Sequence, residues 1–430
     1  MTTDGSSPRD DIAFLARRAG WGLAPGRLDE LEALGVEAVV DLLVDPTAAG
    51  VAEEPGPWDD LDLAYDYEDP QERRSQALAV LDGWIRHHIE TERPYENTFA
   101  WFWHDHFAVS YSVVNTLPVF AAHIDLLRSS ALGDYRELIR DVTTDAAMLL
   151  FLDGTTSTGD APNENYGREL LELYTLGIGN YGEDDVRAAA IALTGWVVAR
   201  RLDYRTVFRP ERHDDTPQTF LGVDGVHDVD TVVDAAVDHP AVPGFIAAKA
   251  AHHFLGDVDQ AAVARIADAF ASSGLDSRAL ARSILEEGLA GACTPQITAP
   301  VPWFVGAVKA TGAELGIRAT LGLLRQMGQT PGLPPNVGGY PGAATWLASS
   351  STAGRFSAAN TIARATPGDA PALVAAADRD YARLADLLLR PAGFAPTTIA
   401  ALDDLSHDAA PRRGEAVLAI ALASPDLLVR

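Results

Sequence analysis

Several residue types are scarce in this chain, and each scarcity excludes certain kinds of structure or function. Its 430 residues include two lysines, Lys249 and Lys309, so arginine carries almost all of the positive charge. The single cysteine, Cys293, excludes an internal disulfide and a thiolate metal cluster. No run of 18 apolar residues occurs, and residues 1–12 lack an apolar signal core. We therefore expect a cytoplasmic protein that does not enter a membrane.

The charge balance is strongly negative. The formal net charge is −28 at pH 7, which speaks against general binding to nucleic acids or to anionic lipid surfaces. Cationic or neutral ligands are favoured instead. The 47% hydrophobic and 22% charged residues are ordinary for a globular protein. A length of 430 residues exceeds the size at which one core usually stops growing, so we expect two subdomains.

Helical periodicity dominates the chain and predicts an all-α fold. Among the clearest examples are the predicted helices 71–92 and 94–107. One region differs: residues 197–208 are rich in Val, Tyr, Thr and Arg, and residues 216–223 follow a polar connection, which predicts a small β-hairpin. The predicted organisation is an N-terminal helical subdomain over 1–196, a β-hairpin connection over 197–225 and a C-terminal helical subdomain over 226–430.

The most informative segment begins at Asn163 and reads as a helix that ends at Gly177. Helical spacing places Asn165, Glu169 and Glu172 on one face, between leucine side chains. Carboxylates beside apolar neighbours are costly to bury unless they bind a partner. This face is therefore a candidate site.

A second candidate is the aromatic segment 101–107, which carries His104 and His106. Imidazole is a common ligand of zinc, iron and copper. Residues two apart on a helix point about 200° away from each other, so both rings cannot hold one ion unless the helix breaks there. His106 has the better case, because Ser110, one turn later, could fix its ring. An aromatic core with hydrogen-bonded imidazoles is the structural alternative.

Together the two segments predict an enzyme, oxidative and dependent on a transition metal or haem. The predicted metal ligands are His104, His106, Glu169 and Glu172; Glu169 is also a candidate acid or base, and Arg168 would steady an anionic substrate. Residues expected near the cofactor are Trp103, Asn165 and Trp196. The alternative is a non-catalytic accessory protein, in which Arg168 and Arg187 neutralise the acids in a buried network.

A third and weaker candidate lies in the loop before the second strand segment. His213 beside Asp214 could act as a general base with an orienting carboxylate, in a metal-independent transferase or lyase. A local turn and cap is the alternative, because aspartate in loops often bonds the backbone. Gly177 to Gly182 matches a dinucleotide-binding spacing, but it follows a helix rather than a strand and reads as a helix end.

Several sequence blocks resemble the DUF1800 family, a bacterial family without an assigned function. They are FLARRAGWG (14–22), FWHDHF (102–107), MLLFLDG (148–154), the helix 163–177, DVR (185–187), LTGW (193–196), RHDD (212–215), FLG (220–222), PPNV (334–337) and ASP (423–425). These blocks span nearly the whole chain in the order typical of the family.

The resemblance implies a possible partner, since such proteins are often exported and encoded beside sulfatase-like DUF1501 proteins. The chain departs from the family pattern at two places: Tyr174 stands where histidine is frequent, and Gly339-Tyr340 where a Gly-Trp pair is usual. The resemblance names neither a substrate nor a reaction.

Overall fold

A computed structural model describes residues 7–65, 69–406 and 412–430. Its first eleven α-helices precede the strands. They are α1 (Pro8–Ala19), α2 (Arg27–Leu34), α3 (Val36–Val44), α4 (Pro70–Glu90), α5 (Pro94–His106), α6 (Tyr111–Val114), α7 (Leu117–Ser129), α8 (Tyr135–Thr144), α9 (Ala146–Phe151), α10 (Glu164–Glu169) and α11 (Glu183–Ala192). A π-helix, Leu170–Thr175, continues α10 directly.

Thirteen more α-helices follow the strands in the described part of the chain. They are α12 (Val229–Val237), α13 (Val242–Leu255), α14 (Gln260–Ser272), α15 (Ser277–Leu289), α16 (Pro300–Thr311), α17 (Ile317–Met327), α18 (Ala343–Trp346), α19 (Ser349–Ala365), α20 (Pro371–Asp378), α21 (Tyr381–Leu387), α22 (Pro396–Ser406), α23 (Arg413–Ala423) and α24 (Pro425–Leu428). The predicted all-α class is confirmed.

The region between α11 and α12 forms two short hairpins, where the sequence predicted one. Strands β1 (Trp196–Ala199) and β2 (Arg205–Phe208) pair antiparallel, as do β3 (Gln218–Phe220) and β4 (Val223–Val226). Leu221 and Gly222 both have positive φ and join β3 to β4 as a two-residue turn. The predicted strand 216–223 therefore turns back on itself near its end.

Helix α5 lies at the centre of the fold. Ten of its thirteen residues are buried, so the helix is apolar on all sides rather than amphipathic. Phe102 and Trp103 join one hydrophobic cluster, and Trp101 joins a second cluster with α16, α19 and α23. Pro94 opens the helix at a position where a missing backbone donor costs nothing, as predicted.

Both hydrophobic clusters draw residues from before and after the hairpins. The subdomain boundaries at 196 and 226 stay a prediction. Among the described residues, no helix combines the length and apolar character required to cross a bilayer.

Candidate functional site

The C-terminal end of α5 meets the π-helix through His106. Nε2 of His106 lies 3.1 Å from the carbonyl oxygen of Tyr174, and the hydroxyl of Tyr135 donates to the same oxygen. Nε2 must therefore carry the proton, which leaves Nδ1 as the unprotonated nitrogen; Nδ1 is buried without a partner. Burial holds the pKa of His106 well below its usual range, so the ring is neutral.

The predicted partner of His106 was wrong. The hydroxyl of Ser110 pairs with Ser112 at 2.8 Å, and Ser110 lies beyond the end of α5. The ring of His106 is fixed instead by the main chain of the segment 163–177, so the two sequence candidates do meet. Their contact is a histidine with a backbone carbonyl, not a histidine with a glutamate.

The π-helix makes carbonyl oxygens available to side chains of other helices. Its wider i→i+5 turns are rare and occur frequently at functional sites. Besides the Tyr174 oxygen, the carbonyl oxygen of Leu173 accepts a 3.0 Å hydrogen bond from Nζ of Lys249 on α13. The consecutive carbonyl groups of Leu173 and Tyr174 thus accept hydrogen bonds from an amine and from a neutral imidazole.

Asp105 lies beside His106 and is held by the loop after α17. The backbone N–H of Tyr340 donates to Oδ1 of Asp105 at 2.7 Å. Gly339 has φ +88, and a Cβ there would overlap Oδ1 and the main-chain oxygen of Asp105. No described residue donates a hydrogen bond to Oδ2. Burial raises the pKa of Asp105 to about 6, although the Tyr340 N–H and Lys249 oppose that shift.

Lys249 and Asp105 act on each other electrostatically. Burial lowers the pKa of Lys249 to about 8, and the charge of Asp105 opposes the shift. Yet the two groups form no ion pair of 4 Å or less. The result is an amine and a carboxyl group with pKa values on either side of neutrality, separated by more than an ion-pair distance. Such values are typical of groups that transfer protons.

His104 points away from this site, as helical geometry predicts. It is fully buried among Trp84, Trp101 and Phe120, and neither ring nitrogen has a hydrogen-bond partner. Burial, with a smaller effect from His123, lowers the pKa of His104 to about 3. The His104 ring is therefore neutral and belongs to the aromatic core.

Of the carboxylates in the segment 163–177, Glu164 pairs with an expected arginine, whereas Glu169 and Glu172 form no ion pair with Arg168 or Arg187. Arg168 pairs with Glu164 and Glu183, while Arg187 pairs with Asp184. Glu169 forms no ion pair in the described residues, and burial together with the neighbouring Glu172 raises its pKa. Oε2 of Glu172 accepts a 2.9 Å hydrogen bond from the hydroxyl of Tyr181.

The predicted ligands do not form a metal centre. In residues 7–65, 69–406 and 412–430, no three His, Cys, Asp or Glu side chains are arranged to hold an ion. His104, His106, Glu169 and Glu172 therefore do not come together around one position. One physical reason is that His104 and His106 point to different sides of α5, His104 into the aromatic core and His106 toward the π-helix.

The residues predicted to lie near a cofactor are spread over the N-terminal half. Trp103 is fully buried and its Nε1 donates to the carbonyl oxygen of Ala131 at 2.9 Å. Asn165 is exposed on α10. Trp196 begins β1 and packs against Phe208. The structure does not bring these three side chains together.

His213 and Asp214 form a local turn. Nδ1 of His213 lies 3.0 Å from the carbonyl oxygen of Thr194, and the backbone N–H of Asp214 donates to the hydroxyl of Thr194. Asp214 caps the next turn through Thr216, and this hydrogen bonding lowers its pKa. The turn-and-cap alternative accounts for each of these contacts.

Sequence reasoning missed Asp105 and Lys249. Asp105 stands between the two histidines that drew attention, and Lys249 is one of two lysines in the chain. The rarity of lysine was a usable signal, because a lone lysine in the apolar segment 242–255 must be tolerated for a reason. Its partner, a carbonyl group 76 positions earlier, could not be read from the sequence.

Comparison with known proteins identifies the family and nothing finer. The family model described as "Protein of unknown function (DUF1800)" matches residues 14–429. No curated protein and no solved structure matches the chain. The match covers nearly the entire sequence and agrees with the blocks found in it. The chain therefore belongs to the DUF1800 family, whose function is unknown.

Proposed function

We propose that the protein is a metal-independent enzyme that transfers protons at a carbonyl-containing small molecule. The observation that carries the proposal is the arrangement of Asp105 and Lys249 beside the π-helix. Each is half-buried, each has a pKa displaced toward neutrality, and their charges act on each other without an ion pair. Active sites commonly contain such matched pairs.

The protonation states at pH 7 assign the two roles. With a pKa of about 6, Asp105 is mostly ionised and can accept a proton through Oδ2. With a pKa of about 8, Lys249 is mostly an ammonium, and one of its three N–H groups is used by Leu173. Its remaining donors can stabilise negative charge on a carbonyl oxygen while Asp105 removes the adjacent proton.

His106 has a positioning role in this scheme. Its ring is neutral and donates its one N–H to the Tyr174 oxygen, which ties α5 to the π-helix. Asp105 precedes it on α5, and Lys249 binds the preceding carbonyl group of the π-helix, that of Leu173. The histidine thus fixes the distance between the elements that carry the base and the acid.

The test is hydrogen–deuterium exchange at carbon, because a panel of simple carbonyl compounds can stand in for the physiological substrate. Purified protein is incubated in D2O with small ketones, aldehydes, oxo acids and amides, and exchange of the α-protons is followed by NMR. We expect exchange that survives a chelator and is lost in Asp105→Asn and Lys249→Met. The control is Asp160→Asn, a change at an exposed aspartate.

The pH dependence provides a second readout. The base must be ionised and the acid protonated, so the rate should rise through about pH 6 and fall through about pH 8. Exchange that needs added metal, or that persists in Asp105→Asn, would refute the proposal.

Two other hypotheses remain predictions of the sequence. For a metal-dependent oxidation, the described residues contain no group of three His, Cys, Asp or Glu side chains that could hold the ion, and haem-dependent oxidation stays a prediction. An accessory role beside a DUF1501 protein came from the family resemblance, with a buried network of acids, Arg168 and Arg187 as its structural counterpart. Arg168 pairs with Glu164 and Glu183, and Arg187 pairs with Asp184, all partly exposed to solvent, and neither arginine pairs with Glu169 or Glu172.

A further inference from the structure

A small cavity that shares no residue with the Asp105–Lys249 site is lined by arginine and apolar side chains. It has a volume of about 60 Å³ and lies between the end of α1, one face of α16, the turn after α21, the end of α23 and residues 427–430. Its polar lining consists of Arg17, Trp21, Thr298, Arg390 and Arg430. None of its lining residues has an acidic side chain.

Four side chains of this lining carry a buried polar atom without a hydrogen-bond partner. They are Nε of Arg17, Nε1 of Trp21, Oγ1 of Thr298 and Nη1 of Arg430. Three of these atoms are obligatory N–H donors, and the fourth is a hydroxyl that can donate. The Trp21 and Thr298 side chains are 3% and 7% exposed, so solvent does not satisfy them. Buried donors of this kind usually have acceptors.

None of the three guanidinium groups pairs with a side-chain carboxylate of residues 7–65, 69–406 or 412–430. Arg17 donates to the carbonyl oxygen of Leu389, and Arg390 donates to those of Asp426 and Val429. Arg430 uses the carbonyl oxygen of His253 and the side chain of Gln296.

The acids that influence these arginines lie elsewhere. Asp10 acts on Arg17 and Asp426 on Arg390, but neither acid forms an ion pair with them or lines the cavity. Asp426 receives the Thr398 hydroxyl instead. Burial lowers the pKa of Arg390 to about 10 and that of Arg430 to about 9, consistent with charge held away from water. Clustered buried cations favour an anion between them.

The remaining walls restrict the kind of anion. Leu389, Leu422, Leu427, Pro302 and the ring of Trp303 make the rest of the lining mostly apolar. An ion with oxygens on every side would press some of them against hydrocarbon, which is costly. A carboxylate with a short alkyl group presents oxygens to the donors and carbon to the leucines.

The volume sets the size of the ligand. A cavity needs a volume of roughly 10–15 Å³ for each water-sized group that it holds. The 60 Å³ of the cavity therefore accommodates about four to six non-hydrogen atoms. Carboxylates of about two to four carbons have that many.

We propose that this cavity binds a short-chain monocarboxylate, whose oxygens are held by Arg17, Arg430 and the indole N–H of Trp21. The alkyl group then lies against the leucines. The Gly22 backbone keeps Trp21 in place: Gly22 has φ +128, and a Cβ there would lie 2.8 Å from Cα of Gly306 on α16. The FLARRAGWG block thus supplies both a cation and an N–H donor to one cavity.

Calorimetric titration of the full chain with sodium acetate, propionate, butyrate, hexanoate and phosphate, at constant chloride, tests the proposal. We expect saturable binding of propionate and butyrate, and none of hexanoate or phosphate. Trp21→Phe keeps the ring and removes the donor, so it should weaken binding at least tenfold. Trp346→Phe is the control, a change at another buried tryptophan outside the cavity lining.

Arg17→Met should abolish binding, and Thr298→Val provides a second variant if Arg17→Met does not fold. Absence of saturable carboxylate binding would overturn the proposal. Equal affinity for phosphate, or unchanged affinity in Trp21→Phe, would also overturn it. Failure here leaves the Asp105–Lys249 proposal untouched, because the two sites share no residue.

Discussion

Replacing Asp105 by asparagine should stabilise the protein above pH 6. Asparagine keeps the oxygen that accepts the Tyr340 N–H and removes a carboxylate that burial destabilises. The pKa of Asp105 is raised from 3.8 to about 6. At 1.36 kcal/mol per unit, ionised Asp105 lowers the free energy of unfolding by about 3 kcal/mol.

The sign and the pH range follow from linkage. A carboxyl group whose folded pKa exceeds its unfolded value binds its proton more tightly when folded, so wild-type stability falls as the pH rises from about 4 to about 6. The asparagine variant has no such dependence at this position. The two proteins should therefore be equally stable below about pH 4 and differ by the full amount above about pH 6.

Differential scanning calorimetry at several pH values measures the effect. An unfolding entropy of about 2.1 cal/mol/K per residue gives about 0.9 kcal/mol/K for 430 residues, so the expected rise in Tm is about 3 °C. Asp160→Asn should show no comparable pH-dependent gain. A lower Tm for Asp105→Asn at pH 7, or a difference that persists at pH 4, would contradict the view that Asp105 is a desolvated carboxylate.

Two further changes test the surroundings of the site. Gly339→Ala should lower the free energy of unfolding by at least about 1–2 kcal/mol, because φ +88 is strained for any residue with a Cβ and the methyl group overlaps Asp105. Gly35→Ala is the control in the same thermal melt: Gly35 has φ +87 but no neighbour within 4 Å, so this change measures the backbone strain alone. Glu169→Ala should change stability by less than about 0.5 kcal/mol, because no ion pair is lost in the described residues. A loss of about 3–5 kcal/mol in urea unfolding would instead support the buried network of the accessory-protein hypothesis.

The position of α5 could be predicted from the sequence because its signals are local. Pro94 marks the first turn, and the aromatic residues up to Phe107 identify a helix with no exposed face. The divergence of His104 and His106 follows from helical geometry alone. These properties depend on residues within a few turns of one another.

The π-helix could not be predicted in the same way. Leu170–Thr175 suits an α-helix equally well, and the wider turn is accompanied by hydrogen bonds from Tyr135, His106 and Lys249 on three other helices. Those contacts exist only after the helices have packed. The partners of Lys249 could not be predicted for the same reason, since they are a carbonyl group and a carboxylate from distant segments.

The turn of the second hairpin cannot be recognised from its residues. Leu221 and Gly222 form this turn, and the first turn position usually carries Asn, Asp or Gly rather than leucine. A leucine there reads as part of a strand. The antiparallel pairing of β3 with β4 holds Leu221 in its positive-φ conformation nonetheless.

The scarcity of lysine has a consequence for the whole molecular surface. Lys309 is buried and Lys249 is half-buried, and each amine donates to a main-chain carbonyl oxygen. Most of the side-chain cations facing solvent are therefore guanidinium groups, which do not lose their protons in ordinary buffers. Moving from neutral to moderately alkaline solution should therefore change the electrophoretic mobility only slightly, chiefly through Lys249 and Lys309, whose pKa values burial lowers to about 8. Reagents that acylate amines should likewise find few side-chain targets on the folded protein, which makes any modification of Lys249 or Lys309 easy to detect by mass.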